Sequence, residues 1–155
     1  ASVVANNREG MRLATSHLVE EHGRRDLVFI RGRRESHEAE ERYLGFRHAL
    51  HEHGILHDGR RILQGDLTRE GALRAMKTMV GGHFPIDGIL TANDDMALAV
   101  LEELQERVEG LRHLLGEEVD EVAVDQQRGL AGLPQQLRSP GAGVRSVADV
   151  LSRGR

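Results

Sequence analysis

At 155 residues, with no cysteine and a formal charge of −4 when the nine histidines are counted neutral, the chain fits one domain with a continuous core. Disulfides, thiolate metal sites and cysteine nucleophiles are excluded, and the acidic balance argues against a general nucleic-acid binder. No apolar run approaches the roughly 18 residues of a membrane helix, and no signal peptide opens the sequence, so a cytoplasmic protein is expected. A start at Ala1, already on the strand-like Ser2-Val3-Val4-Ala5, suggests a cut-out fragment or a processed product.

The predicted elements alternate. Val3 to Ala5 reads as a strand stub, and Asn7 is placed to cap a helix with Met11, Ala14, Leu18 and Val19 on one side, stopping near Gly23. Leu27 to Ile30 is fully apolar, as in a strand buried on both faces of a parallel sheet. A polar loop from Arg31 to about Ser36 leads into a helix bearing Ala39, Tyr43, Phe46 and Leu50, ended by Gly54. Arg61 to Gln64 makes a short strand, and Gly65-Asp66-Leu67 turns into a Thr68-capped helix carrying Ala72, Ala75, Met76, Met79 and Val80 before Gly81-Gly82. After Pro85, Ile86 to Ala92 forms a buried strand that turns at Asn93 and Asp94. The following helix shows Ala97, Val100, Leu101 and Leu104 at i, i+3, i+4 and i+7, an apolar stripe on one face. Glu121 to Asp125 reads as a further strand. From Gln126 the glycines and prolines crowd into an irregular stretch, with Val144 to Leu151 as a terminal strand or helix turn. Strands separated by helices of this length predict an α/β fold, a Rossmann-like parallel sheet with right-handed crossovers.

In such a sheet the strand-to-helix turns gather at the carboxyl edge, where ligands bind. Asn93 suits that position, because its amide both donates and accepts. The alternative is that Asn93 or Asp94 caps the helix, and both hold if Asp94 caps while Asn93 points outward. Asp66, Asp94 and Asp95 form a candidate carboxylate cluster for magnesium, and His48, His51, His53 and His57 a candidate metal run. Neither has ligand spacing to complete it, and no phosphate loop or G-x-S-x-G elbow is present. Catalysis, a metal and a cofactor are therefore not expected.

An ordered set of motifs carries a family resemblance. Val4-Ala5-Asn6-Asn7, Gly10, Ala14, His17-Leu18-Val19 and Arg24-Arg25 come first. Ala39-x-x-Arg42-x-x-Gly45-Phe46, Gln64-Gly65-Asp66, Gly71 with Ala75-Met76, and Ala92-Asn93-Asp94-Asp95-Met96-Ala97-Leu98 follow. Together they resemble the effector-binding domain of the lactose/galactose repressor family over roughly residues 3–109. The resemblance implies one lobe of a type I periplasmic-binding-protein fold. Residues 1–125 would be mainly the C-terminal lobe, and 126–155 an irregular tail returning toward a missing first lobe. The chain departs from the family at His22-Gly23, where the order is usually reversed. It departs again after Val124, where Asp125 stands in place of the family's Gly-Phe-Asp segment.

The resemblance further implies a ligand-sensing lobe of a transcriptional regulator, with a small polar effector of the sugar or nucleoside class. The remaining alternatives are a sensor or transport-linked lobe with another output, and a metal-dependent α/β enzyme. The expected ligand-binding residues are Ser36, His37, Glu38, Glu40, Arg42, Leu67, Asn93 and Asp94. For Arg42 the competing reading is an i, i+4 pair with Glu38. Asn93→Ala is expected to weaken ligand binding with little change in stability. DNA would be bound through a missing N-terminal head and not by this fragment. Met96 and Leu98 lie off the apolar stripe, and in the resembling family this helix forms the dimer interface, so a homodimer centred near Leu98 is expected.

Overall fold

The computed structural model describes residues 5–115, so Val3 and Val4 of the strand stub, the strand at Glu121 to Asp125 and the tail 126–155 lie outside the described residues. Four helices and three strands alternate: α1 (Asn7–Glu20), β1 (Leu27–Arg31), α2 (His37–Glu52), β2 (Ile62–Gln64), α3 (Arg69–Gly81), β3 (Gly88–Thr91) and α4 (Asp94–Leu115). A single 3₁₀ turn, Gly59–Arg61, precedes β2. The sheet is parallel in the order β2-β1-β3, with Phe29 opposite Ile62 on one side and Leu90 on the other.

Local chemistry sets the ends of the helices. Asn6, not Asn7, caps α1, its Oδ1 accepting from Glu9 N at 3.1 Å. An N-cap side chain serves the N–H groups two or three residues on, which leaves Asn7 inside the first turn. Ser36 caps α2 and Thr68 caps α3, each hydroxyl accepting from the amide three residues later. At the end of α2, Ile55 N donates to Leu50 O and Gly54 N to His51 O, a Schellman closure that needs the left-handed φ of 62° at Gly54.

The central strand is buried on both faces. Alternate side chains reach opposite layers. Phe29 stacks on Phe46 of α2 at 5.0 Å between centroids. Ile30 points the other way and lies close to Met96 of α4, since a Cβ on Gly65 would meet both. Fully burying a side chain such as Phe29 contributes about 1.5–3 kcal/mol. Helix α1 packs on α2, and α3 on α4. The first of these contacts is very close: a Cβ on Gly45 would sit 2.1 Å from the Arg8 carbonyl oxygen. Around it Arg8 forks onto Glu41 at 2.7 and 2.9 Å, which holds that carboxyl below its ordinary range. Arg12 joins Glu9 to Glu52.

On α4 the buried stripe is Met96, Val100, Leu104, Val108 and Leu111, while Ala97 and Leu101 are only half-buried. The expected stripe is thus rotated by about one residue. Met96 belongs to the core, where the sulfur fills space beside Gly65, and Leu98 remains 39% exposed.

Candidate functional site

Because the strands are parallel, their carboxyl ends fall on one side. Three loops follow there: residues 32–36, 65–68 and 92–93, each opening into the N-terminus of a helix. The first turns of three helices therefore meet at one edge, each with one amide already taken by its cap. Central β1 bonds both neighbours: Gly65 N donates to Arg31 O at 2.8 Å, and Ala92 N to Ile30 O at 3.0 Å.

Asn93 joins two loops. Its Oδ1 accepts from Met96 N at 3.1 Å, capping α4, and its Nδ2 donates to the Leu67 carbonyl at 3.0 Å. Of the two caps the sequence offered, Asn93 is the one used, so the arrangement in which Asp94 caps while Asn93 points outward is not formed. With β3 ending at Thr91, Asn93 is the residue whose side chain reaches the third amide of the helix, and Asp94 is left exposed in the first turn. An amide has two protons and two carbonyl lone pairs, so Asn93 retains one of each beyond these bonds.

The loop that Asn93 grips is strained. Asp66 and Leu67 both have left-handed backbones, at φ 57° and 63°. Aspartate adopts this readily, whereas for leucine it costs on the order of 1–2 kcal/mol. Further bonds hold the loop in place. Gln64 Nε2 donates to Gly32 O at 2.7 Å and to Asp66 Oδ1 at 2.8 Å, and Arg33 Nε donates to Asp66 O at 3.3 Å. The Leu67 side chain lies against Gly32, where a Cβ would come within 2.6 Å of both Leu67 and Ala39.

Arg42 reaches across from α2, its Nη1 donating to Ala92 O at 2.6 Å. The competing i, i+4 pair with Glu38 is not formed: Glu38 accepts instead from Ser36 Oγ at 3.3 Å. Leu67, Asn93 and Arg42 are thus brought together around the ends of β2 and β3. Ser36 is a cap and half-buried, and His37 and Glu38 are exposed in the first turn of α2. Glu40 is turned into the lobe and pairs with the Arg31 guanidinium, which lies 4.2 Å over the Tyr43 ring. Gln64, Arg33 and Arg31 were not among the expected site residues. Gln64 stood inside the quoted motif Gln64-Gly65-Asp66, which was the available signal. Among the described residues no group of three metal-ligating side chains converges, and Asp66 is engaged with Gln64 and Arg74.

A shallow pocket of about 230 Å³ lies at the opposite edge of the sheet, between Leu27, Phe46, Ile55, Arg61 and Ile62. Its rim is closed by Arg61, which pairs with Asp26 at 2.9 Å and donates to Pro85 O at 2.7 Å. These bonds fasten the amino ends of the strands. The convergence of loops and helix N-termini is at the other end.

A parallel α/β lobe with its polar turns collected at one edge is the architecture of a type I periplasmic-binding-protein-like lobe. The profile of the periplasmic binding protein-like domain family matches residues 15–125. The ribose operon repressor of Halalkalibacterium halodurans is 30% identical over 99 residues, 64% of this chain and 29% of that protein. The transcriptional repressor PurR of Aliivibrio salmonicida is 30% identical over 110 residues, 71% of this chain and 32% of that protein. Among solved structures, a sugar-binding LacI-family regulator from Escherichia coli in complex with phosphate superposes with a TM-score of 0.64 at 25% identity, covering 68% of this chain and 38% of that one. The complex of the regulator CelR with cellobiose gives 0.61 at 32% identity, covering 65% and 31%. The chain belongs to the periplasmic binding protein-like family, as an effector-binding domain of the lactose/galactose repressor kind. It spans about a third of the length of the curated relatives it matches.

Proposed function

We propose that this chain forms one wall of the effector site of a DNA-binding transcriptional regulator, and that the effector is a neutral, hydroxylated metabolite of the sugar or nucleoside class. The observation that carries this is the meeting of three helix N-termini with Asn93, Arg42 and Leu67 at a single sheet edge. Asn93 offers its remaining proton and lone pair to a hydroxyl, Leu67 an apolar surface to a ring, and His37, Glu38 and Asp94 the exposed polar contacts. The charges at the edge disfavour an anionic ligand: the exposed cations Arg33 and Arg34 are outnumbered by exposed Glu35, Glu38, Asp94 and Asp95. The CelR–cellobiose complex supports a sugar-sized ligand for a relative.

On this reading the protein acts in the cytoplasm without catalysis. DNA is contacted by a separate head, and two copies meet through the exposed side of α4 around Leu98. No helix among the described residues is long and apolar enough to cross a membrane. The test is calorimetry on a protein restored to two lobes, against a panel of sugars and nucleosides. One class should bind saturably, and the double variant His37→Ala with Glu38→Ala should lose at least about fivefold in affinity with an unchanged melt. Saturable binding that this variant leaves intact would move the site off this edge, and no binding by the panel would remove the proposed ligand class.

A further inference from the structure

Outside the ligand edge, one pair of side chains has a geometry that the fold does not require. His17 stands in the last turn of α1 and His22 just beyond it, with their Nε2 atoms 3.2 Å apart. The rings are close to perpendicular, at 79°, with centroids 4.9 Å apart. Two readings fit a contact of this length. In one, a single proton is shared head-on between the nitrogens. In the other, both nitrogens turn lone pairs toward a common point.

The ring separation favours the second. Imidazoles meeting head-on across 3.2 Å would have centres about 5.5 Å apart. If each nitrogen instead lies about 2.0–2.1 Å from one ion, a 3.2 Å separation subtends roughly 100° and places the ring centres about 5 Å apart. The observed 4.9 Å agrees with the second arrangement. We propose that His17 and His22 form a two-imidazole chelate for a borderline divalent cation such as Zn²⁺, Ni²⁺ or Cu²⁺, with water in the remaining positions.

The backbone holds this chelate ready. Glu21 N donates to His17 O, Gly23 N to Val19 O and Arg24 N to Leu18 O, so the amides on both sides of His22 are fixed to the same helix end that carries His17. Gly23, at φ 63°, supplies the turn that brings the chain back. Little backbone freedom remains to be lost on binding, and preorganisation of this kind raises affinity. Imidazole nitrogen selects the later transition metals and zinc over magnesium and calcium, which prefer oxygen. Among the described residues no third protein ligand converges, and a pair of imidazoles suits exchangeable metal better than a permanent structural ion. A bound ion would tie the last turn of α1 to the segment that enters β1.

The experiment is titration of the tag-free 155-residue chain with zinc chloride, followed by calorimetry and by the imidazole signals in NMR. Beside it run His17→Ala, His22→Ala and, as a control for the other histidines, His51→Ala. Saturable binding should shift the His17 and His22 signals together. Either of the first two variants should weaken it by about tenfold or more, while His51→Ala leaves it unchanged and magnesium produces no shift. His22 is exposed, so its variant should melt as the parent does without metal. Zinc binding that survives in both variants, or no saturable binding with the two signals static, would establish the shared proton as the whole of the contact.

Discussion

Asn93 makes the sharpest test of how the site is built, because one side chain serves two partners. These two bonds overturn the expectation that Asn93→Ala would leave stability nearly unchanged: the variant removes the cap of α4, worth about 1 kcal/mol, and leaves the Leu67 carbonyl without its donor, worth about another 1–2 kcal/mol in a part-buried setting. The sum is about 2–3 kcal/mol. At about 2–4 °C per kcal/mol for a chain of this size, the melting temperature should fall by about 5–10 °C. Asn93→Asp separates the two roles. Its carboxylate still accepts from Met96 N and sits well at the positive end of a helix, though beside Asp94 and Asp95, but it has no proton for Leu67. That variant should lose about half as much. Amide hydrogen exchange should report both: protection at Met96 lost only in the alanine variant, and faster exchange across residues 65–68 in each. If the two variants melt alike, or if Asn93→Ala melts within about 1 °C of the parent, the clasp contributes nothing and the reasoning fails.

The remaining predictions are briefer. Gly10 lies exposed in α1 with nothing within 4 Å of a Cβ, so Gly10→Ala should stabilise by about 0.5–1 kcal/mol in urea unfolding. Gly45→Ala places a methyl 2.1 Å from Arg8 O and should cost more than about 2 kcal/mol, since α1 and α2 must part; a neutral result would mean that the crossing is looser than described. Leu98→Glu should convert a dimer into monomers in sedimentation, and an unchanged dimer would place the interface elsewhere. Asp58 accepts from the Arg60 guanidinium and from Arg60 N, which hold its carboxyl down to about 2. Its folded-state value lies below the unfolded one, so its contribution is complete above about pH 4 and disappears as the pH falls through 2. The melting difference between the parent and Asp58→Asn should therefore be constant from pH 5 to 7 and shrink toward pH 2.

Much of the fold was legible in the chain because its signals are local. The apolar run Leu27-Val28-Phe29-Ile30 reads as a strand covered on both faces and is one, and Thr68 marks a helix start that its hydroxyl caps as expected. What sequence reasoning missed depends on partners distant in the chain. Periodicity gave α4 an apolar face but not its rotation, which is fixed by Gly65 and Ile30 accepting the Met96 side chain. Asn6 and Asn7 are chemically identical, and only the start of the first turn tells them apart. The grip of Asn93 on Leu67 spans 26 residues and depends on two left-handed backbones that no composition rule assigns to a leucine. Arg42 likewise bonds a carbonyl 50 residues away, when its own helix offered an acidic neighbour.

The glycines behind the site carry a consequence for its evolution. Gly32 has no room for a methyl beside Leu67 and Ala39, and a Cβ on Gly71 would fall 1.9 Å from the Gly65 carbonyl oxygen. The floor of the edge is therefore closed to mutational drift, since even the smallest side chain dislodges two loops at once. Variation can accumulate only at positions that stand clear of this floor, namely Arg34, Glu35, His37, Glu38, Asp94 and Asp95. Descendants of this chain would acquire new ligands by exchanging those six exposed side chains over an unchanging backbone, and a library confined to them would reach new specificities without passing through unfolded intermediates.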